Sequence, residues 1–170
     1  MKKLFLSLLF AAVALLPTAC ESDIPNVPDL SGTLYGTWVL DTKTVDVVTT
    51  TDGKTETNQD VTDFTNEHFL LHLTDFFVAF AQEGTLLTFD IDDVDGVKYT
   101  YNDNLKQIYF EKLIVLNKGF FNAKTMSLFG KYDVIELSDT KLVLKKVEET
   151  TLGSTKTTTT TVYSYHRLAS

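Results

Sequence analysis

Cysteine is all but missing from this chain: its 170 residues contain one, Cys20. A single thiol makes neither an intramolecular disulfide nor a thiolate zinc cluster. Basic residues are also scarce, 15 Lys and Arg against 23 Asp and Glu, and the net charge of −8 argues against a nucleic-acid backbone as partner. Catalytic signatures are missing too. There is no G-x-S-x-G, and no Gly-rich phosphate loop or paired-carboxylate pattern stands out, so neither enzyme chemistry nor a bound cofactor is expected. What the chain does have is 44% hydrophobic residues, too many for a disordered protein, and a length that suits one domain.

Lys2 and Lys3 precede an apolar run from Leu4 to Leu16 that ends in small residues before Cys20. The run has the layout of a signal peptide and is short for a membrane span. Leu16-Pro17-Thr18-Ala19-Cys20 resembles the lipobox of bacterial lipoproteins, although Pro17 stands where Leu is usual. That resemblance implies a signal peptide over 1–19, lipid on Cys20 and a mature chain of 151 residues. Its 13 basic and 23 acidic residues would give a net charge of −10. An ordinary secretory signal with an incidental Cys is the competing reading. The only thiol, however, lies where the processing chemistry requires it, and elsewhere it would be oxidised after export. Several acyl chains, at about 0.8 kcal/mol for each buried CH2, would hold a domain at a membrane without spanning it.

Glu21, Ser22 and Asp23 follow Cys20. They resemble the surface-export signal of some Gram-negative lipoproteins, while in others an Asp here retains the protein at the inner membrane. The expected location is the outer membrane or cell surface, with the leaflet left open. Residues 20–33 carry Pro25, Pro28, Asn26, Ser31 and Gly32 and read as an extended tether.

Residues 34–170 read as a mainly β domain of antiparallel strands. Tyr35–Thr51 is rich in Val, Thr, Tyr and Trp and leads through Asp52-Gly53, a two-residue hairpin signal, into the polar stretch Lys54–Val61. Further strands are expected at Thr85–Ile91, Val97–Asn102, Gln107–Leu116, Leu128–Leu137, Lys141–Thr151 and Thr155–Leu168, about eight in all. Thr62–Gln82 differs. There Phe69, Leu73, Phe76 and Phe80 recur at helical spacing, with Thr62 or Thr65 as a cap and Gly84 as a stop. One helical insertion is therefore expected, although Leu71 and Val78 would lie on its opposite face. Threonine is unusually common, with 26 residues concentrated at 49–57 and 155–161. Such rows coat solvent-facing strands, so 143–167 reads as one long hairpin turning at Leu152-Gly153-Ser154. A flexible or glycosylated Thr tract is the alternative.

Gly36-Thr37-Trp38, at the start of the first strand, resembles the G-x-W signature of lipocalins and their relatives. The segment from Tyr132 to Leu144 is similar to the late hairpin of bacterial lipocalin-like lipoprotein domains, with its Ser138-Asp139 turn and Leu142-Val143-Leu144 strand. The likeness implies an antiparallel up-and-down barrel of about eight strands. Its Trp closes one end under an Arg from the last strand. Here Trp38 is the only Trp and Arg167 the only Arg, so Gly36, Trp38 and Arg167 are the expected barrel closure. It also implies, loosely, a small hydrophobic or amphipathic ligand. The other lipocalin loop motifs are missing, and a helix at 62–82 has no place in the usual order.

Phe69, Phe76, Phe80, Phe89 and Phe110 are the candidate lining of a ligand cavity; an ordinary filled core explains them as well. Phe120-Phe121 is a candidate exposed lip. His68 and His72, four apart on a helix with Asp75 a turn beyond, suit metal ligands only weakly, and no metal is expected. Asp90, Asp92, Asp93 and Asp95 before Gly96 fail the calcium-loop spacing and read as a charged turn. Two functions remain. The first is a non-enzymatic, membrane-anchored carrier of a small hydrophobic ligand. The second is an interaction subunit of the envelope with a filled barrel, whose protein or glycan partner the residues do not identify.

Overall fold

A computed structural model describes residues 31–65, 76–89, 94–118 and 124–168. Nine antiparallel strands form one sheet: β1 (Gly36–Thr51), β2 (Lys54–Asp63), β3 (Phe77–Ala81), β4 (Thr85–Phe89), β5 (Val94–Asn102), β6 (Gln107–Lys118), β7 (Lys124–Leu137), β8 (Lys141–Leu152) and β9 (Thr155–Arg167). The strand order is β2-β1-β3-β4-β5-β6-β7-β8-β9, and a further pairing of β1 with β9 closes the ring. Eight strands therefore make an up-and-down barrel, while the ninth, β2, lies outside the ring against β1. Ring closure gives β1 and β9 a partner on the edges that an open eight-stranded sheet would expose.

One edge of β1 serves two neighbours in turn. Its first residues pair with β3 (Gly36↔Phe80 to Val39↔Phe77) and its later ones with β2 (Thr42↔Asp63 to Thr51↔Lys54). The changeover is at Asp41, where β1 also bulges against β9. The Leu40 N–H donates to the Phe76 carbonyl and the Phe64 N–H to the Asp41 carbonyl, at 3.0 and 2.8 Å, so the edge stays bonded through the switch. At the far end of the β1–β2 hairpin Asp52 and Gly53 both have positive φ, 50° and 79°, the twist a two-residue hairpin requires.

Most buried side chains come from alternate strand positions, as a half-buried sheet demands; Val39 and Val143, between inward neighbours, are buried as well. Trp38, Leu40, Phe80, Leu86, Tyr99, Ile108, Phe110, Leu128, Tyr132, Leu142, Leu144, Tyr163 and Tyr165 all belong to one cluster, each no more than 6% exposed.

Two expectations are corrected. The helix expected over 62–82 is not formed at its described ends: 62–63 complete β2 and 77–81 are β3. Among the described residues there is no α-helix. The reason is visible at Phe76, Val78 and Phe80, all buried. A helix would split Val78 from the two Phe residues, whereas a strand's period of two puts the three on one face. The turn expected at Asp95-Gly96 lies instead inside β5, paired with Thr88 and Leu87 of β4. A β-carbon on Gly96 would come within 3.3 Å of the Thr85 side chain and 3.7 Å of Leu87, so this glycine answers close packing across the sheet rather than a reversal. Residues 66–75 and 90–93 lie outside the described residues.

Candidate functional site

The G-x-W motif and the only arginine meet at the seam where β1 closes on β9. Trp38 pairs with Arg167 in register, and the Arg167 Cζ lies 4.2 Å from the centre of the indole, a cation–π contact. The guanidinium is also held by backbone. Nε donates to the Asp139 carbonyl at 2.7 Å, Nη1 to the Tyr35 carbonyl at 2.7 Å, and Nη2 to the Thr33 carbonyl. Gly36 explains its place in the motif: a β-carbon there would stand 2.5 Å from Arg167 Nη1, and its φ of +128° is one that other residues rarely adopt. Trp38 is fully buried and its indole N–H donates to the Leu34 carbonyl at 2.9 Å. These contacts bind the entering chain, β1, the β7–β8 turn and the last strand into one end of the barrel. Nothing about them calls for a ligand.

Of the residues named as a cavity lining, Phe76, Phe80 and Phe110 are buried, Phe89 ends β4, and Phe69 lies outside the described residues. Inside the barrel, rings touch rings. Phe80 packs edge-on to Tyr99 at 5.1 Å between centroids and lies 6.4 Å from Phe110. Phe110 meets Tyr132 at 5.7 Å, Tyr132 meets Tyr163 at 6.2 Å, and Tyr163 meets Tyr165 at 6.3 Å. This chain of rings runs from β3 through β6 and β7 to β9. A second pair, Phe64 and Phe76, meets edge-on at 4.8 Å, with Lys124 Nζ 5.6 Å from the Phe64 ring.

Buried phenols need partners for their hydroxyls, and these find them. Tyr99 donates to the Ala81 carbonyl at 2.9 Å, Tyr163 to the Ser127 carbonyl at 2.6 Å, and Tyr165 to the Met126 sulfur at 3.5 Å. Burial pushes the Tyr99 hydroxyl up to about 12, with a smaller push from Tyr35. Burial likewise raises Tyr132, Tyr163 and Tyr165 above the ordinary tyrosine value. These hydroxyls stay neutral and act as structural donors.

Beyond Asp41 the same strands change character. β2, the outer halves of β1 and β9, and β8 beyond Lys145 continue as a four-stranded sheet in the order β2-β1-β9-β8. We call this extension the blade. β8 pairs with β7 only over Leu142–Lys145. No residue of 42–63, 145–152 or 155–162 is buried, so neither face of the blade is covered by other described parts of the chain. Thr157, Thr158, Thr159, Thr160 and Thr161 run down its central strand, β9. Thr–Thr hydrogen bonds tie its end, Thr50 to Thr55 at 3.1 Å and Thr51 to Thr155 at 2.9 Å. The threonine tracts indicated strands; that both faces would be open had no signal in composition.

The remaining candidates are scattered or outside the described residues. Cys20, His68, His72, Asp75, Asp90, Asp92, Asp93, Phe120 and Phe121 lie outside them. Among the described residues no group of three or more His, Cys, Asp and Glu is placed to hold a metal ion, and no helix is long and apolar enough to cross a membrane. One polar pair was not foreseen: His166 Nδ1 lies 2.6 Å from Asp41 Oδ1, on the outside of the barrel at the β1 bulge. Its residues are 125 apart in sequence, so only the β1–β9 register brings them together.

No protein-family model matches the chain, and no curated protein matches it. Among solved structures it is similar to Ail, the attachment invasion locus protein of Yersinia pestis, in its complex with the heparin analogue sucrose octasulfate. The identity is 8%, the match covers 79% of this chain and 100% of that chain, and the TM-score is 0.38. A match at that level brings no ligand, location or mechanism to this chain.

Proposed function

We propose that this is a lipid-anchored β-barrel protein of a Gram-negative cell envelope, without enzymatic activity, that acts through its outer surfaces as an interaction module. The single observation that carries the reading is the chain of rings from Phe80 to Tyr165, which fills the barrel with its own side chains. A carrier of the lipocalin kind needs room there for a guest. The uncovered blade is the contrasting feature: a large surface with no role in the core, and the natural place for a protein or glycan to bind.

Most of the barrel's large apolar side chains point inward. Charged ones, among them Glu111, Lys112, Lys131 and Lys141, are exposed, the reverse of a barrel that faces lipid. Anchoring therefore falls to Cys20. Native mass spectrometry of the full chain carrying Cys20→Ala tests the filled interior. The expected spectrum shows the bare polypeptide mass, and a stoichiometric hydrophobic guest would overturn the reading. The same substitution is expected to move the protein from the membrane to the soluble fraction; unchanged fractionation would refute lipidation.

A further inference from the structure

β2 is the strand that the ring leaves outside, and its outer edge is bare. Residues 54–61 are all exposed, and among the described residues β2 pairs with β1 alone. An edge strand offers a row of free N–H and C=O groups that template another strand, and edges that stay single are commonly short, bulged, proline-bearing or lined with lysine. β2 is none of these. Its ladder with β1 runs unbroken from Thr51↔Lys54 to Thr42↔Asp63, it has no proline, and its one lysine, Lys54, stands at the turn. Hairpin geometry fixes which of its backbone groups are free. In a two-residue hairpin the flanking pair, here Thr51 and Lys54, exchanges both hydrogen bonds, so Lys54, Glu56, Asn58, Asp60 and Thr62 turn their backbone toward β1. The Phe64 N–H, which donates to the Asp41 carbonyl, continues that alternation. Thr55, Thr57, Gln59 and Val61 therefore aim their N–H and C=O groups outward.

The charges along β2 suit a second copy of the same strand, in one register. A strand added here bonds outward residues to outward residues, and like charges set directly opposite each other are destabilising. With two antiparallel copies centred on Glu56 or Asp60, that carboxylate meets itself; centred on Asn58, Glu56 meets Asp60. A centre at Gln59 or Val61 leaves Lys54 with no partner in β2, and a centre at Thr55 ends the ladder after 54–56. Centred on Thr57, Lys54 stands opposite Asp60 of the second copy at both ends, and Glu56 stands opposite Asn58. No carboxylate then faces another. The blade's other edge does not offer this. β7 occupies it as far as Lys145, and a ladder over the free stretch 146–152 would centre on Glu149 and set it against itself.

We propose that two copies of the protein join edge to edge through β2, antiparallel and centred on Thr57, so that two blades become one sheet in the order β8-β9-β1-β2-β2-β1-β9-β8. This deepens the preceding proposal and rests on its reading of the blade as the binding surface; the partner is a second copy of this chain. The barrels do not obstruct it. Each β2 enters its own barrel at the Asp63 end, and antiparallel pairing puts those ends on opposite sides of the joint.

Sedimentation velocity of the full chain carrying Cys20→Ala reads the association. A short edge ladder buries less than a standard interface, so a weak but discrete dimer is expected, at roughly 10–300 µM chain. Thr57→Pro is the sharpest variant. The Thr57 N–H faces outward, so proline there spares the β1–β2 ladder, and the dimer is expected to vanish with circular dichroism unchanged. Lys54→Asp sets two carboxylates against each other at both ends of the joint, and Asp60→Lys sets two lysines, so each alone is expected to weaken dimerisation about tenfold or more. An equimolar mixture of these two variants is expected to restore it, because opposite charges meet again between them. A monomer throughout the range overturns the proposal, as does a dimer that Thr57→Pro leaves intact or a mixture that stays monomeric. Every variant keeps residues 1–30, so association through the apolar leader would be indifferent to all of them and would also overturn it. Growth beyond the dimer would overturn the twofold joint in favour of head-to-tail stacking of blades. Guest binding and membrane fractionation read the filled barrel and the lipid anchor independently, so the two proposals fail separately.

Discussion

β1 and β9 are each two structures in one strand. Near the seam they carry Trp38, Val39, Leu40, Tyr163 and Tyr165, all at most 1% exposed; beyond Asp41 on β1, and from Thr155 to Val162 on β9, no residue is buried. The backbone pairing is the same throughout, an antiparallel ladder from Trp38↔Arg167 to Thr51↔Thr155. Hydrogen bonding therefore does not distinguish barrel from blade; apolar burial does. A fully buried large side chain contributes about 1.5–3 kcal/mol, while a cross-strand pair on an open face contributes roughly 0.2–1 kcal/mol. The blade's ion pair between Lys156 and Glu149, at 2.9 Å and half exposed, belongs to the weak class of surface pairs. The barrel makes the fold stable, and the blade is carried by strands anchored in it.

The comparison can be broken most severely at Trp38. Trp38→Ala is expected to lower unfolding free energy by about 3–5 kcal/mol, measured by urea denaturation, and Phe110→Ala should behave alike because it sits midway in the chain of rings. A near-neutral result at both would show that the core is not where stability lies. Alkali comes next. Folded Tyr99 ionises only near pH 12, and Tyr132, Tyr163 and Tyr165 are also raised, whereas unfolded tyrosines ionise near pH 10. Because the folded values are the higher ones, their contribution is complete below pH 10 and is lost as pH climbs toward and past 12. Urea midpoints should be nearly equal at pH 8 and 10 and fall in turn at pH 11 and 12.

Gly36→Ala is a smaller perturbation. It puts a methyl group against the Arg167 guanidinium at a strained φ, and should cost about 1–3 kcal/mol, again by urea denaturation, with loss of the seam's cation–π geometry. The smallest effect sharpens the contrast from the other side. Thr158→Ala or Thr160→Ala in the blade should change stability by no more than about 0.5 kcal/mol. Hydrogen exchange of amides in 45–51 and 156–161 should be faster than that of 36–40 and 163–167 by several orders of magnitude. Equal protection in the two halves would mean that the blade is braced by something other than its own ladder.

Local chemistry made some of this legible and hid the rest. Asp52-Gly53 and Leu152-Gly153-Ser154 marked turns because their conformations are set by the residues themselves. Trp38 and Arg167 could be paired because each is the only residue of its type. The three carbonyls of Thr33, Tyr35 and Asp139 around that arginine could not be foreseen, since they come from a leader and a turn brought together only by the closed ring. At the described ends of 62–82 the expected helix gave way to strand for a definable reason. The spacing of Phe76 and Phe80 fits a helix as well as a strand, and Val78, buried between them, is the residue that fits only the strand. Asp95-Gly96 misled because turn chemistry says nothing of Thr85 and Leu87 on the next strand. Interior and surface aromatics also look alike in a sequence: Phe110 is fully buried and Phe129 is 48% exposed, although both sit in apolar strands.

The seam also sets the order of events as the protein folds. Trp38 and Arg167 are 129 positions apart, and the Leu168 N–H still donates to the Thr37 carbonyl at 3.0 Å, so the ring closes only once β9 is in place against β1. All the other ring ladders join successive strands except β1–β3, which spans the 64–76 connection, so the closing β1–β9 ladder carries the highest loop-closure cost and is expected to form last. Until it forms, the chain is an open sheet with β1 and β9 unsatisfied along one edge each. A chain emerging N-terminus first would thus stay unclosed until β9 follows, and loss of β9 would leave the other eight strands with no closed barrel.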